Sequence, residues 1–292
     1  EYPCRPALGG SGDVGVGKTA AEDSKIDVVE CLAARGEVGQ VDVLHVEPGQ
    51  IEGVGHLALA VRALVAEDGR ADATALLPEG ISPEVGAMLS DMVTTGLHGA
   101  ELANIEPGDV VAVIGIGPVG LMSVASASVL GAGRLFAVGS RPKCIEVAQE
   151  FGATDIINYR EGGIVEQIME ATKGQGVNRV IVAGGDLDTF QQAFDILKVG
   201  GQVANVNYLG EGENIKISRE STLVGMGHKH FVGGLTPGGR NRMDRMANLV
   251  LAGRIRPEKM ITHRFTGIEH VEDGVELMRT KPRDLIKPVI LV

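Results

Sequence analysis

Hydrophobic and polar positions follow two patterns along this chain, and the change comes near residues 70–90. From about residue 92, short apolar runs alternate with stretches of helical period. Residues 110–114, 134–138, 155–159, 179–183 and 202–207 have the length and β-branched content of buried strands. Between them, the Ala/Ser/Leu/Val stretch after Gly120 and residues 143–151, 164–171 and 187–197 read as helices. Gly184-Gly185 and Gly200-Gly201 punctuate the junctions. Such alternation predicts an α/β fold, a doubly wound parallel sheet covered on both faces, with its ligand at the C-terminal ends of the strands. After Leu235 the alternation stops. Residues 236–239 read as a loop, 241–251 and 268–279 as helices, and 261–265 and 288–292 as strands outside that sheet.

Residues 1–90 are patterned differently. Alternation is scarce, helical period is brief, and Tyr2 is the one aromatic residue. A unit without a large anchoring side chain buries a thin core. The expected division is therefore an aberrant or partial region at 1–91, a dinucleotide-binding domain at 92–235 and a return segment at 236–292. A break of reading frame or gene model upstream of about residue 70 would account for the change, and a first residue that is Glu rather than Met fits a fragment.

Charge follows the same division, with 15 acidic and 6 basic side chains in residues 1–90. The net charge of −11 for the whole chain argues against nucleic acid or an anionic membrane as the main partner. No apolar run approaches the ~20 residues that span a bilayer. The opening EYPCRPALGG has no basic-then-apolar signal pattern, so a cytoplasmic location is expected. Cys4, Cys31 and Cys144 form no CxxC pair, and reduced thiols are expected.

The chemistry concentrates after the first strand. That strand runs into Gly115-Ile116-Gly117-Pro118-Val119-Gly120 and then into a helix. In such a turn Gly115 permits the bend, Gly117 admits a pyrophosphate and Gly120 lets the helix lie close on the strand. The second strand then discriminates between dinucleotides. An NAD site places an acid at its end for the ribose 2′-hydroxyl, whereas this chain has Gly139-Ser140-Arg141. No carboxylate stands there to repel a 2′-phosphate. Ser140 offers a hydroxyl and Arg141 a planar fork suited to phosphate oxygens, which predicts selectivity for NADP.

Residues 91–101, DMVTTGLHGAE, together with the glycine turn, resemble the zinc-dependent medium-chain dehydrogenases. Within them the resemblance is to the NADP-dependent secondary alcohol dehydrogenases of anaerobic bacteria and protists. It continues through residues 152–159, 204–208, 233–240 and 281–288, and covers about 72–292. It implies a dinucleotide-binding Rossmann domain beside a small GroES-like catalytic domain, and commonly a homotetramer. The implied reaction is reversible oxidation of a small secondary alcohol to a ketone by zinc-assisted hydride transfer. The positions that meet the cofactor are Gly115, Gly117, Pro118, Val119, Gly120, Gly139, Ser140, Arg141, Tyr159, Asn207 and Lys281. Of the three zinc ligands, Asp91 matches, although by its residue type it reads first as a cap for a helix beginning at Thr94. The Gly-His-Glu segment that carries the zinc His in the family is absent from residues 1–90, where Cys4, Cys31, His45 and His56 stand in other contexts. A catalytically silent NADPH-binding or subunit-association protein is the alternative. Residues 219–223 also depart from the acid-Trp-Gly segment of relatives.

A rival signal lies at residues 12–19, GDVGVGKT, which match a phosphate loop with Lys18 and Thr19 in the triphosphate and Mg²⁺ positions. Such a loop follows a buried strand, whereas residues 1–9 hold Pro3 and Pro6 and no apolar run. Chance matching in a glycine-rich stretch is the better account of it than a triphosphatase.

Overall fold

A computed structural model describes residues 58–59, 75–208 and 212–292. Beyond a two-residue strand, β1 (Ala58–Leu59), the first element is opened by Ser82, whose hydroxyl accepts the Val85 N–H at 3.3 Å. Pro83 stands in the first turn, where its missing N–H costs nothing. Helix α1 (Pro83–Met88) continues through a π turn at Leu89–Val93 into α2 (Thr94–Leu102). Asp91 therefore lies inside a continuous helical run rather than at its start, which corrects the cap expected from sequence. The N-cap role is filled by Ser82, and the π turn inserts an extra residue of the kind often found at functional sites.

The main sheet contains β2 (Val110–Ile114), β3 (Arg134–Val138), β4 (Asp155–Ile157), β5 (Val177–Val182), β6 (Leu197–Asn205) and β7 (His230–Gly233). Its order is β4-β3-β2-β5-β6-β7, with every neighbouring pair parallel. The crossovers are α3 (Pro118–Val129), α4 (Pro142–Glu150), α5 (Ile164–Ala171) and α6 (Asp188–Ile196). Alternate residues of β2 enter two separate cores, Val111 and Val113 on one face and Ala112 and Ile114 on the other. Burial on both faces explains why the strand is a continuous apolar run. The chain winds from β2 through β3 to β4, then crosses back to β5 on the other side of β2. That reversal opens a crevice at the C-terminal end of β2.

Several boundaries move from those read in the sequence; β5, for one, begins at Val177. β4 ends at Ile157 because the Asn158 side chain accepts the Arg160 N–H at 3.1 Å and turns the chain, leaving Tyr159 in the turn. β6 ends at Asn205, whose side chain captures the Asn207 N–H at 3.1 Å. β6 also begins at Leu197, before the glycine pair read as a junction. The tail forms α7 (Arg240–Leu251), β8 (Ile261–Thr266), α8 (Val271–Thr280) and β9 (Lys287–Leu291). β8 and β9 join β1 in a separate parallel sheet of order β1-β9-β8.

Close approach of α3 to β2 depends on Gly120. A Cβ there would stand 1.9 Å from the Gly115 carbonyl oxygen, a backbone atom with nowhere to go. Gly120→Ala is expected to lower unfolding free energy by about 3 kcal/mol or more, at the upper end of overpacking costs. Gly234→Ala, whose new Cβ meets nothing within 4 Å, should stay within about 0.5 kcal/mol of wild type. Urea midpoints of the two variants check both.

Candidate functional site

The glycine turn is held by its neighbours before any ligand is considered. Gly115 takes φ +92, a conformation that disfavours side chains, and a Cβ on it would meet Gly184 at 2.6 Å. Its N–H and that of Ile116 both donate to the Val138 carbonyl, at 3.1 and 3.3 Å. Strands β2, β3 and β5 thus fix the turn from two sides. Gly117 is the N-cap of α3 and no side chain caps that helix. A Cβ on Gly117 would meet only the Arg141 guanidinium, with Nη2 at 3.8 Å. Pro118, in the first turn, has no N–H, and Val119 follows it, half-buried. The first turn of this 12-residue helix therefore faces a gap bordered by one arginine, the arrangement that receives a phosphate. These residues fit a dinucleotide pyrophosphate.

Ser140 and Arg141 follow β3 directly, and Ser140 is buried. Gly139 carries a constraint that sequence reading missed. A Cβ there would stand 2.2 Å from the Ile116 side chain, so the glycine is needed for packing under the turn. Arg141 caps the N-terminus of α4 by its backbone, and its Nη1 donates to the Leu285 carbonyl at 2.7 Å. Leu285 belongs to the C-terminal segment, 144 residues further on. No local signal around residue 285 reveals this partnership. Buried Cys144, on the first turn of α4, has its thiol pushed up by desolvation despite the nearby Arg141 charge, so it is an inert core residue.

The remaining expected cofactor positions stand at the ends of three other elements. Tyr159 is 53% exposed in the turn after β4. Asn207 follows β6, and its amide donates to the Gly185 carbonyl at 3.3 Å. Lys281 is exposed, with φ +47, where it ends α8. A separate groove of about 440 Å³, lined in part by Asp195, Lys198, Ser218 and Lys229, contains none of the expected cofactor residues. The departing segment 219–223 borders that groove and leads into Leu223 and Val224 at φ +51 and +54.

Asp91 sits in the π turn, where its Oδ1 accepts the Thr95 hydroxyl at 3.2 Å. Among the described residues no group of three His, Cys, Asp or Glu side chains could hold a metal ion. Asp91 is the one zinc position expected from sequence that they contain, so the described residues do not make a zinc site. Cys4, Cys31, His45 and His56, and the phosphate-loop match with Lys18 and Thr19, lie outside the described residues. His98, one face of α2 further on, has its Nδ1 3.6 Å from Glu101.

Lys287 was not foreseen. It is fully buried on β9, and its ammonium has no hydrogen-bond partner among the described residues. Desolvation pushes its pKa down to about 8, against the attraction of the Asp91 carboxylate. The signal in sequence was slight: one lysine at the head of an apolar terminal strand.

Comparisons with known proteins find dehydrogenases. A family model described as zinc-binding dehydrogenase matches residues 118–252. The NADP-dependent isopropanol dehydrogenase of Entamoeba histolytica is 63% identical over 218 residues, covering 75% of this chain and 60% of that protein. The NADP-dependent isopropanol dehydrogenase of Thermoanaerobacter brockii is 53% identical, covering 74% and 61%. Among solved structures, the alcohol dehydrogenase TADH from Thermus sp. ATN1 superposes with a TM-score of 0.66 at 31% identity, over 74% of this chain and 62% of that one. The chain thus spans about three fifths of the length of the relatives it matches.

The buried ammonium generates a pH prediction. Below pH about 8 folded and unfolded chains both carry the Lys287 proton. Between about 8 and the ordinary 10.5, the unfolded chain keeps a proton that the folded chain has lost. Stability should therefore rise across that window, by about 3 kcal/mol through this group. The rise should be missing from Lys287→Met in denaturant titrations at pH 7.5, 9 and 10.

Proposed function

Because the described part of this chain belongs to the zinc-binding medium-chain dehydrogenase family, we propose that it forms the NADP-binding half of an oxidoreductase for small secondary alcohols and ketones. The observation that carries the reading is the glycine turn under the Arg141 guanidinium, at the end of a β3 strand that lacks the acid of an NAD site. The substrate class comes from the named relatives, which are isopropanol dehydrogenases.

The work of this chain's own residues follows from their placement. The open first turn of α3 meets the pyrophosphate with backbone N–H groups and the positive end of the helix dipole. Arg141, with Ser140 beside it, supplies charge-assisted hydrogen bonds to the adenosine phosphate. Tyr159 borders the same side, its exposed ring and hydroxyl free to approach, and Lys281 adds a second cation. Asn207, tied to Gly185, links the segments that follow β6 and β5. The bound nicotinamide supplies the hydride chemistry. Polarisation of the alcohol oxygen belongs to zinc in the family, and here Asp91 is the residue retained for it among those described. We place the protein in the cytoplasm as a homo-oligomer, a tetramer by resemblance. No helix among the described residues is long and apolar enough to cross a membrane.

A second reading, an NADPH-binding subunit without turnover, draws on the lack of a metal-holding group around Asp91 among the described residues. Turnover separates the two. NADPH oxidation with acetone in zinc-supplemented buffer supports the enzyme, and its absence in a folded preparation that binds NADPH supports the silent subunit. For cofactor selection, Arg141→Ala should weaken NADPH binding about 10- to 100-fold, the size of a lost hydrogen bond to a charged group. NADH binding should change little. Equal losses for both dinucleotides would remove Arg141 from the selection of phosphate.

A further inference from the structure

We propose that Thr262, on a different sheet from the cofactor turn, positions Arg141 for phosphate recognition. The chain of contacts is short. Arg141 Nη1 donates to the Leu285 carbonyl at 2.7 Å, which leaves Nη2 beside Gly117 at the mouth of the turn. Leu285 is fully buried, and its own N–H bonds the Pro282 carbonyl at 3.0 Å. The next residue, Ile286, donates its N–H to the Thr262 hydroxyl at 3.0 Å. The same hydroxyl stands 3.4 Å from the Lys287 carbonyl and 3.0 Å from His263 Nδ1, either of which can take its proton. A hydroxyl both donates and accepts, so this one can bind two peptide units of the C-terminal segment at once, 285–286 through its N–H and 287–288 through its carbonyl. The first of these units also carries the Leu285 carbonyl that anchors Arg141, so Thr262 and Arg141 hold opposite ends of one peptide group.

The physical consequence concerns ordering. An arginine side chain has several rotatable bonds, and freezing it on ligand arrival subtracts from affinity. Anchored at one nitrogen to a carbonyl that is itself pinned, the Arg141 fork is already held over the turn when phosphate arrives. The Thr262 hydrogen bonds go to Ile286, Lys287 and His263, none of them an expected dinucleotide position. Its effect passes through Leu285 and Arg141, and should be felt by the dinucleotide that carries the extra phosphate.

This inference rests on Arg141 selecting NADPH, and the test separates the two. Dissociation constants for NADPH and NADH are measured on the full chain for wild type, Thr262→Val, Thr262→Ser, Arg141→Ala and the Arg141→Ala/Thr262→Val double variant. Loss of one orienting hydrogen bond should raise the NADPH constant of Thr262→Val about 3- to 10-fold and leave that for NADH within about twofold. Thr262→Ser, which keeps the hydroxyl, should bind as wild type. Thr262→Val should have no further effect once Arg141 is gone. Equal weakening of both dinucleotides, or a Thr262→Val effect that persists beside Arg141→Ala, would overturn the proposal. So would an unchanged NADPH constant in Thr262→Val while Arg141→Ala abolishes the preference, which leaves the Arg141 reading intact. An Arg141→Ala variant that keeps its preference removes both. Melting temperatures are recorded throughout. Should Thr262→Val not fold, Thr262→Cys, similar in volume with a weaker acceptor, must shift NADPH binding in the same direction or the proposal fails.

Discussion

The contact on which the nucleotide half depends is that of backbone with backbone at the glycine turn. Gly120 lies so close to the Gly115 carbonyl that no Cβ fits, and a Cβ on Gly115 would in turn stand 2.6 Å from Gly184 on the neighbouring segment. Two strands and a helix therefore meet with no side chain between them. The helix N-terminus is drawn down to the sheet, and the crevice at the reversal of strand order lies in front of it. A larger residue at either position would lift α3 and move its first turn away from the crevice. The same principle governs the next layer. Gly96 of α2 would place a Cβ 2.4 Å from Met122, so α2 and α3 also touch by backbone, which carries the π turn and Asp91 against the core.

Charge is arranged around this centre in two ways that differ in cost. Arg141 keeps its charge beside an open cleft and spends one nitrogen on a carbonyl. Lys287 carries its charge into the interior without a hydrogen bond among the described residues, near Asp91, and its lowered pKa reflects that burial. Both depend on one stretch, residues 285–287, at the head of β9. The C-terminal segment thus joins Arg141, through the Leu285 carbonyl, to the π turn that carries Asp91.

Much of this was legible in the order of residues. The first two strands and α5 fall where their apolar runs and spacing placed them, because burial on both faces leaves runs that little else produces. The glycine turn was legible because its geometry demands glycine. What could not be read was long-range. The Leu285 carbonyl is a backbone atom and looks the same at every position. Gly139 stands among the expected cofactor positions, and the packing reason for it, the Ile116 side chain that leaves no room for a Cβ, has no local signal. Asp91 looked like a cap because its two following threonines imitate a helix start, and only the upstream run from Ser82 through the π turn shows otherwise. Strand ends moved where Asn158 and Asn205 used their side chains to turn the chain, a local competition that periodicity does not register.

The central claim is that this cleft selects a dinucleotide by its adenosine phosphate. The most direct test is a calorimetric titration of the unaltered full chain with NADPH and with NADH at one ionic strength. Both should bind at the glycine turn, with NADPH tighter by about tenfold or more, as charge-assisted contacts to one added phosphate imply. Equal affinities, or tighter binding of NADH, would contradict it.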